Sequence, residues 1–158
     1  MKKTNFERVA HFNRLIGNAE GKFSEIDWEQ SVARQLALIE EEFEELRHAI
    51  KTHDRGELRD AIADVLVTTY GLAHRAGIDA DSDMDIVCDS NMSKFCSGPE
   101  VADATVAKYA EIGVEVRIES RGDVFAAISA KDQTGTDGKQ YPEGKLLKGT
   151  GFFEPGFN

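Results

Sequence analysis

Basic residues are scarce in this chain: 19 Lys and Arg stand against 29 Asp and Glu, a formal net charge of −10. No broad cationic surface can be assembled from so few, so a long nucleic-acid backbone is excluded as the expected partner. A small phosphorylated ligand is not excluded, because a bound cation would reverse the local field. Cysteine is scarcer still. Cys88 and Cys96 are too few for a disulfide framework and form no C-x-x-C pair, so two reduced thiols are expected and not a zinc or redox site. No apolar run approaches the ~20 residues that cross a bilayer. Met1–Ile16 lacks a basic-then-apolar leader, so no membrane association and a cytoplasmic location are expected. The histidines His11, His48, His53 and His74 show no ligand spacing among themselves and receive no role. There is no internal repeat and no low-complexity linker, and 158 residues suffice for one domain with a real core.

What is present is mostly helical pattern. Phe6, Val9, Asn13 and Ile16 predict a short amphipathic helix over 5–16, followed by a polar connection. Asp27 is placed to cap the next helix, with Trp28 at its start as a core residue and Glu29 in the first turn. Leu36, Ile39, Phe43, Leu46 and Ile50 then recur at spacings of three and four, the pattern of a bundle helix over 32–51. His53-Asp-Arg-Gly56 breaks it, and a further helix over 57–76 offers Leu58, Ile62, Val65, Leu66, Thr69 and Leu72 to a core before Gly77 ends it. The short connection predicts antiparallel packing of these two helices.

Asp79, Asp81, Asp83 and Asp85 alternate as at the opening of an EF-hand loop, but Met84 stands where that loop needs Gly and Ser90 where it needs Glu. They are read as aspartates at the N-terminus of a helix over 84–95. Another helix over 101–112 ends at Gly113. Alternation of Val114, Val116 and Ile118 with charged residues, a turn at Arg121-Gly122-Asp123 and a strand over 124–129 predict a hairpin. The tail from Lys131 lacks clear periodicity. The expected architecture is therefore mainly α: a four- to five-helix bundle with a small C-terminal β-hairpin extension. It forms one domain over 1–158, with a helical catalytic core of about 1–112 and a hairpin and tail of about 113–158.

Asp64 is the only charge in Ala61-Ile-Ala-Asp-Val-Leu-Val-Thr-Thr-Tyr-Gly-Leu-Ala73, and an isolated carboxylate among packed helices is costly unless a cation compensates it. Positions i, i+3 and i+4 of a helix share a face. Glu41, Glu42 and Glu45 thus form one acidic surface, and Asp60 and Asp64 another. Brought together, such carboxylates repel and raise one another's pKa values, whereas Mg²⁺ or Mn²⁺ makes the cluster favourable. A metal held there would activate water and polarise a phosphoryl oxygen, and Glu41 is the best-placed base for the water's proton. Read alone, the Glu40–Glu45 run would pass for a solvated helix face; Asp64 is what argues against that.

Two stretches carry a resemblance. Leu38-Ile-Glu-Glu-Glu-Phe-Glu-Glu-Leu46 followed by Leu58-Arg-Asp-Ala-Ile-Ala-Asp64-Val-Leu resembles the E-x-x-E then E-x-x-D signature of the all-α nucleoside triphosphate pyrophosphohydrolases. These include MazG proteins, dimeric dUTPases and phosphoribosyl-ATP pyrophosphohydrolase. Asn91-Met-Ser-Lys94-Phe is similar to their N-x-x-K element near substrate phosphates, and the tail, Ser129 to Gly138 with Lys145-Leu-Leu-Lys148, resembles the extension of phage-encoded members.

The resemblance implies a MazG-like bundle that cleaves a triphosphate between its α and β phosphates with Mg²⁺ or Mn²⁺. It implies a homodimer or homotetramer and, for a phage-encoded protein, the host cytoplasm. It places metal ligands at Glu42, Glu45 and Asp64, with Asp60 standing in for the signature's second glutamate, since Ala61 occupies that position. The alternative register, Glu41 with Glu44, stays open. It implies Glu41 as the base and Asn91 and Lys94 on the substrate phosphates. Apart from the resemblance, Lys145 and Lys148 are candidates to close over a polyphosphate, with an ordinary exposed loop as the other reading, and Asn13 is a candidate to bond a base, although a satisfied buried amide accounts for it better. Resemblance to phage enzymes that trim dGTP makes guanine the expected base. Two other readings are carried: phosphoribosyl-ATP hydrolysis, and a non-catalytic helical oligomer that binds metal and nucleotide.

Overall fold

The computed structural model describes residues 2–157. Five helices and two short antiparallel β-pairs make it mainly α, as the pattern predicts. Helix α1 (Asn5–Leu15) opens with a capping box: Thr4 accepts the Glu7 N–H, and the Glu7 carboxylate accepts the Thr4 N–H. Asp27 caps a π-helical turn (Trp28–Val32) through the Glu29 and Gln30 N–H groups, and this turn runs into α2 (Ala33–Thr52). His53 takes a left-handed conformation, Asp54 caps the next helix through Gly56 and Glu57, and α3 (Arg55–Ala76) ends at Gly77, also left-handed. α4 (Ala80–Met92) starts four residues before the predicted position, because Asp79 caps it by accepting the Ser82 N–H. The alternating aspartates therefore serve a helix N-terminus.

After α5 (Pro99–Ala110), β1 (Val116–Arg121) and β2 (Val124–Ser129) pair antiparallel with Val116 opposite Ser129. A two-residue pair, β3 (Gln133–Thr134) and β4 (Gln140–Tyr141), adds a register that the tail's sequence did not announce.

Contacts divide the chain into two compact units, Met1–Asp83 and Met84–Asn158. In the second unit α5 packs on the hairpin. Cys96, Ala102, Tyr109, Val114, Ala127, Tyr141 and Leu147 form the core of the second unit, with Phe125, Val116 and Ile118 against it. Leu147 comes from the aperiodic tail and is pinned by its N–H to the Ala127 carbonyl.

The first unit is built differently. α2 and α3 pack along their lengths and α1 lies on α3. What they bury is small or polar: Ala10, Ala49, Ala61, Gly71 and Ala76, with Asn13, Gln35 and His74. The stripe predicted as core is corrected here. Leu36, Phe43 and Ile50 are 49%, 46% and 57% exposed, and Ile62 and Leu66 are about half exposed. Three helices in one layer cover only the facing edge of each stripe and leave its outer edge open. Trp28, also expected in the core, is mostly exposed and meets Phe23 edge-on. Among the described residues no helix is long and apolar enough to cross a membrane.

Candidate active site

Antiparallel packing of α2 on α3 brings the two acidic surfaces together. Glu42 and Asp64 are half-buried on the helix–helix seam, while Glu41, Glu45 and Asp60 are exposed beside it. The Glu42 carboxyl is raised above its ordinary value of 4.5, first by burial and then by the negative charges of Asp64, Glu45, Glu41 and Asp60, in that order. One carboxyl thus feels all four of the other acids singled out from the sequence. Alongside lies an open cleft of about 540 Å³ lined by Glu41, Glu44, Glu45, His48, Glu57 and Asp60.

Two of those residues were missed. Glu57 and His48 had no assigned role, yet both face the cleft. The signal for Glu57 was available: Glu57-Leu-Arg-Asp60 is itself an E-x-x-D, one helical turn before the Asp64 that the signature alignment favours. The cleft also takes in Glu44, so both registers of the acidic run border the same space, with Glu42 on the seam and Glu41 and Glu44 outside it.

An all-oxygen carboxylate set of this kind fits a hard divalent cation. Among the described residues, no three His, Cys, Asp or Glu side chains close on one point as a ready-made cage. Magnesium does not require one, since it is commonly held by one or two carboxylates with waters and substrate phosphates.

The remaining candidates fall elsewhere. Asn13 is buried, donating to the Val9 carbonyl and accepting from the Asn18 side chain, so its amide is spent within its own unit. Asn91, Lys94, Lys145 and Lys148 belong to the second unit. Lys94 donates to the Asn91 side-chain oxygen at 2.6 Å, which brings the two residues of the N-x-x-K element into contact. Lys145 donates to the Gln140 carbonyl at 3.3 Å and lies over the Tyr141 ring. Lys148 pairs with Glu154 at 2.7 Å and lies over Phe152. Both tail lysines are thus engaged inside the tail itself.

The model of the phosphoribosyl-ATP pyrophosphohydrolase family matches residues 9–91, just over half of the chain and the whole of α2 and α3. The chain belongs to that family. It therefore falls within the MazG-like, all-α nucleoside triphosphate pyrophosphohydrolase superfamily. The family match includes Glu42 and all four acids around it and stops at Asn91, so Lys94, the hairpin and the tail lie outside it. The chain is also similar to an uncharacterised protein of Acanthamoeba polyphaga mimivirus, 36% identical over 84 residues. That stretch is 51% of this chain and 34% of the other, so the chain spans about a third of the length of that curated relative.

Proposed function

We propose that this protein hydrolyses a nucleoside or deoxynucleoside triphosphate between its α and β phosphates, releasing the monophosphate and pyrophosphate, with Mg²⁺ or Mn²⁺ as cofactor. The observation that carries this reading is the convergence of Glu42 with Asp64, Glu45, Glu41 and Asp60 across two antiparallel helices, in a chain of a pyrophosphohydrolase family. Glu42, Glu45, Asp60 and Asp64 would hold the cation, which when bound neutralises them and polarises a phosphoryl oxygen. Glu41, exposed at the cleft and beside those ligands, takes the proton of the attacking water. Asn91 and Lys94, in contact with each other, and Lys145 and Lys148 are proposed as the groups that meet the substrate phosphates. Asn13 is buried, with one N–H given to Val9 and its oxygen accepting from Asn18, which favours the satisfied-amide reading over a base contact.

The family match favours a second substrate, phosphoribosyl-ATP, which presents the same α–β linkage to the same acids. The tail's resemblance to phage-encoded members favours dGTP and GTP instead, and with them a phage-type protein acting in a host cytoplasm. The test is incubation with each (d)NTP and with phosphoribosyl-ATP, in Mg²⁺ and in Mn²⁺, resolving products. Monophosphate with pyrophosphate is the expected outcome. A diphosphate product overturns the α–β assignment, and metal-dependent nucleotide binding without turnover replaces the enzyme with a sequestering protein.

The open apolar stripe of α2 supports assembly as a homodimer or homotetramer, in which a second copy covers Leu36, Phe43 and Ile50. Light scattering reads the assembly directly, and a monomer at all protein concentrations sinks this part of the proposal.

A further inference from the structure

The acidic seam lies between two anchors. One is the turn joining α2 to α3, where the left-handed His53 donates its N–H to the Ala49 and Ile50 carbonyls and Asp54 caps α3. The other, at the opposite end of the helix pair, is made of side chains. Gln35, 4% exposed, donates from Nε2 to the Thr68 carbonyl at 2.8 Å and accepts at Oε1 from Arg75 Nε at 3.0 Å. Gly71 faces this amide so closely that a Cβ there would lie 2.9 Å from Gln35 Nε2. Seven residues after Gln35 stands Glu42, and seven before Gly71 stands Asp64. Seven residues are about two turns, or ~10 Å, on each helix. The amide lock and the acidic pair therefore share one seam of the antiparallel pair.

We propose that Gln35 is a positioning residue: its buried amide, seated on Gly71 and tied to Thr68 and Arg75, holds α2 against α3 so that Glu42 and Asp64 converge for a divalent cation. This rests on the reading of those two carboxylates as ligands. Little else on the seam does this work. The apolar residues of α2 repeat at three and four, and apolar contact has no direction, so it tolerates rotation and splaying of the helices. The turn restrains only one end. Between the anchors the seam carries the like-charged, half-buried carboxylates of Glu42 and Asp64, and like charges facing each other oppose close packing where the site must stay closed. An amide whose two polar ends find partners in a single pose resists this, because displacement leaves a buried donor and acceptor unpaired. One buried polar residue is the best-attested device for setting the register of paired helices. Glycine at position 71 is what lets the amide reach the backbone of α3.

The test uses the full chain with Cys88→Ser and nitroxide labels at Arg34→Cys and Arg59→Cys, which are exposed positions on α2 and α3 outside the acidic cluster. The parent should give one narrow inter-label distance and bind Mn²⁺. Gln35→Leu, which keeps the volume and removes both hydrogen bonds, should retain its helical circular dichroism, broaden the distance distribution and weaken Mn²⁺ at least tenfold. Gly71→Ala, which displaces the amide from the other helix, should do the same, and Gln35→Glu, which keeps an acceptor for Arg75, should recover part of the affinity. A narrow, unshifted distribution with unchanged Mn²⁺ affinity in both Gln35→Leu and Gly71→Ala overturns the proposal. Absence of Mn²⁺ binding by the parent, with broadening in Gln35→Leu, removes the metal reading while upholding the lock.

Discussion

Asp64→Asn is expected to lose pyrophosphate release by about 10³-fold and to leave the fold intact. A metal contributes several kcal/mol of charge stabilisation to such a transition state, and each ~1.4 kcal/mol is a factor of ten. On the proposed metal reading, loss of the Asp64 carboxylate forfeits most of that, because Asp64 is the charge closest in effect to Glu42 across the seam. Glu42→Gln should match it in activity. In stability the two substitutions should go the other way. Without metal these carboxylates repel, and relieving one such like-charge contact on helices is worth up to ~0.5 kcal/mol, or roughly 1–2 °C in Tm for a chain of this length.

The pH dependence follows from the same repulsion. The Glu42 carboxyl is raised in the folded chain, so between 4.5 and its folded value the folded state keeps a proton that the unfolded state has released. Stability from this group is thus lost as pH rises through that window, and Glu42→Gln should flatten the loss. Metal-dependent turnover retained in both Asp64→Asn and Glu42→Gln would defeat the assigned site.

Leu147→Ala should destabilise the second unit by about 2–5 kcal/mol, the range for emptying a well-packed leucine site. Leu147 is 2% exposed, is the largest fully buried side chain among the described residues and lies among Cys96, Tyr109, Ala127 and Tyr141. Its backbone N–H also bonds to Ala127 in the middle of β2. Denaturant unfolding followed by tyrosine fluorescence reads the effect, since Tyr109 and Tyr141 stand in the same core. A change below 1 kcal/mol would show that the tail merely lies on the hairpin.

Legibility in the sequence followed the range of the interactions involved. The cap at Asp27, the stops at His53 and Gly77 and the strand Val124–Ser129 all depend on neighbours a few residues away, and the structure has them where local chemistry puts them. The start of α4 was misplaced by four residues although its cause, Asp79, was in view. Spacings of three and four along α2 were read as core, and they do mark one face. Whether another helix covers that face is not written in the spacing, and here half of it is open. Leu147 was invisible for a different reason, since its burial depends on Ala127 twenty positions away and on no repeat.

The candidate site divides along the same line. That Glu42, Glu45, Asp60 and Asp64 lie on two helical faces was determined by residue order alone, because helical periodicity is local. That Glu57 and His48 border the same cleft, and that the buried amide of Gln35 meets Gly71 and Arg75 two turns from Glu42, was decided only when α2 and α3 packed. Contact between separate helices depends on axial register and rotation, and neither is encoded by any one segment of the chain.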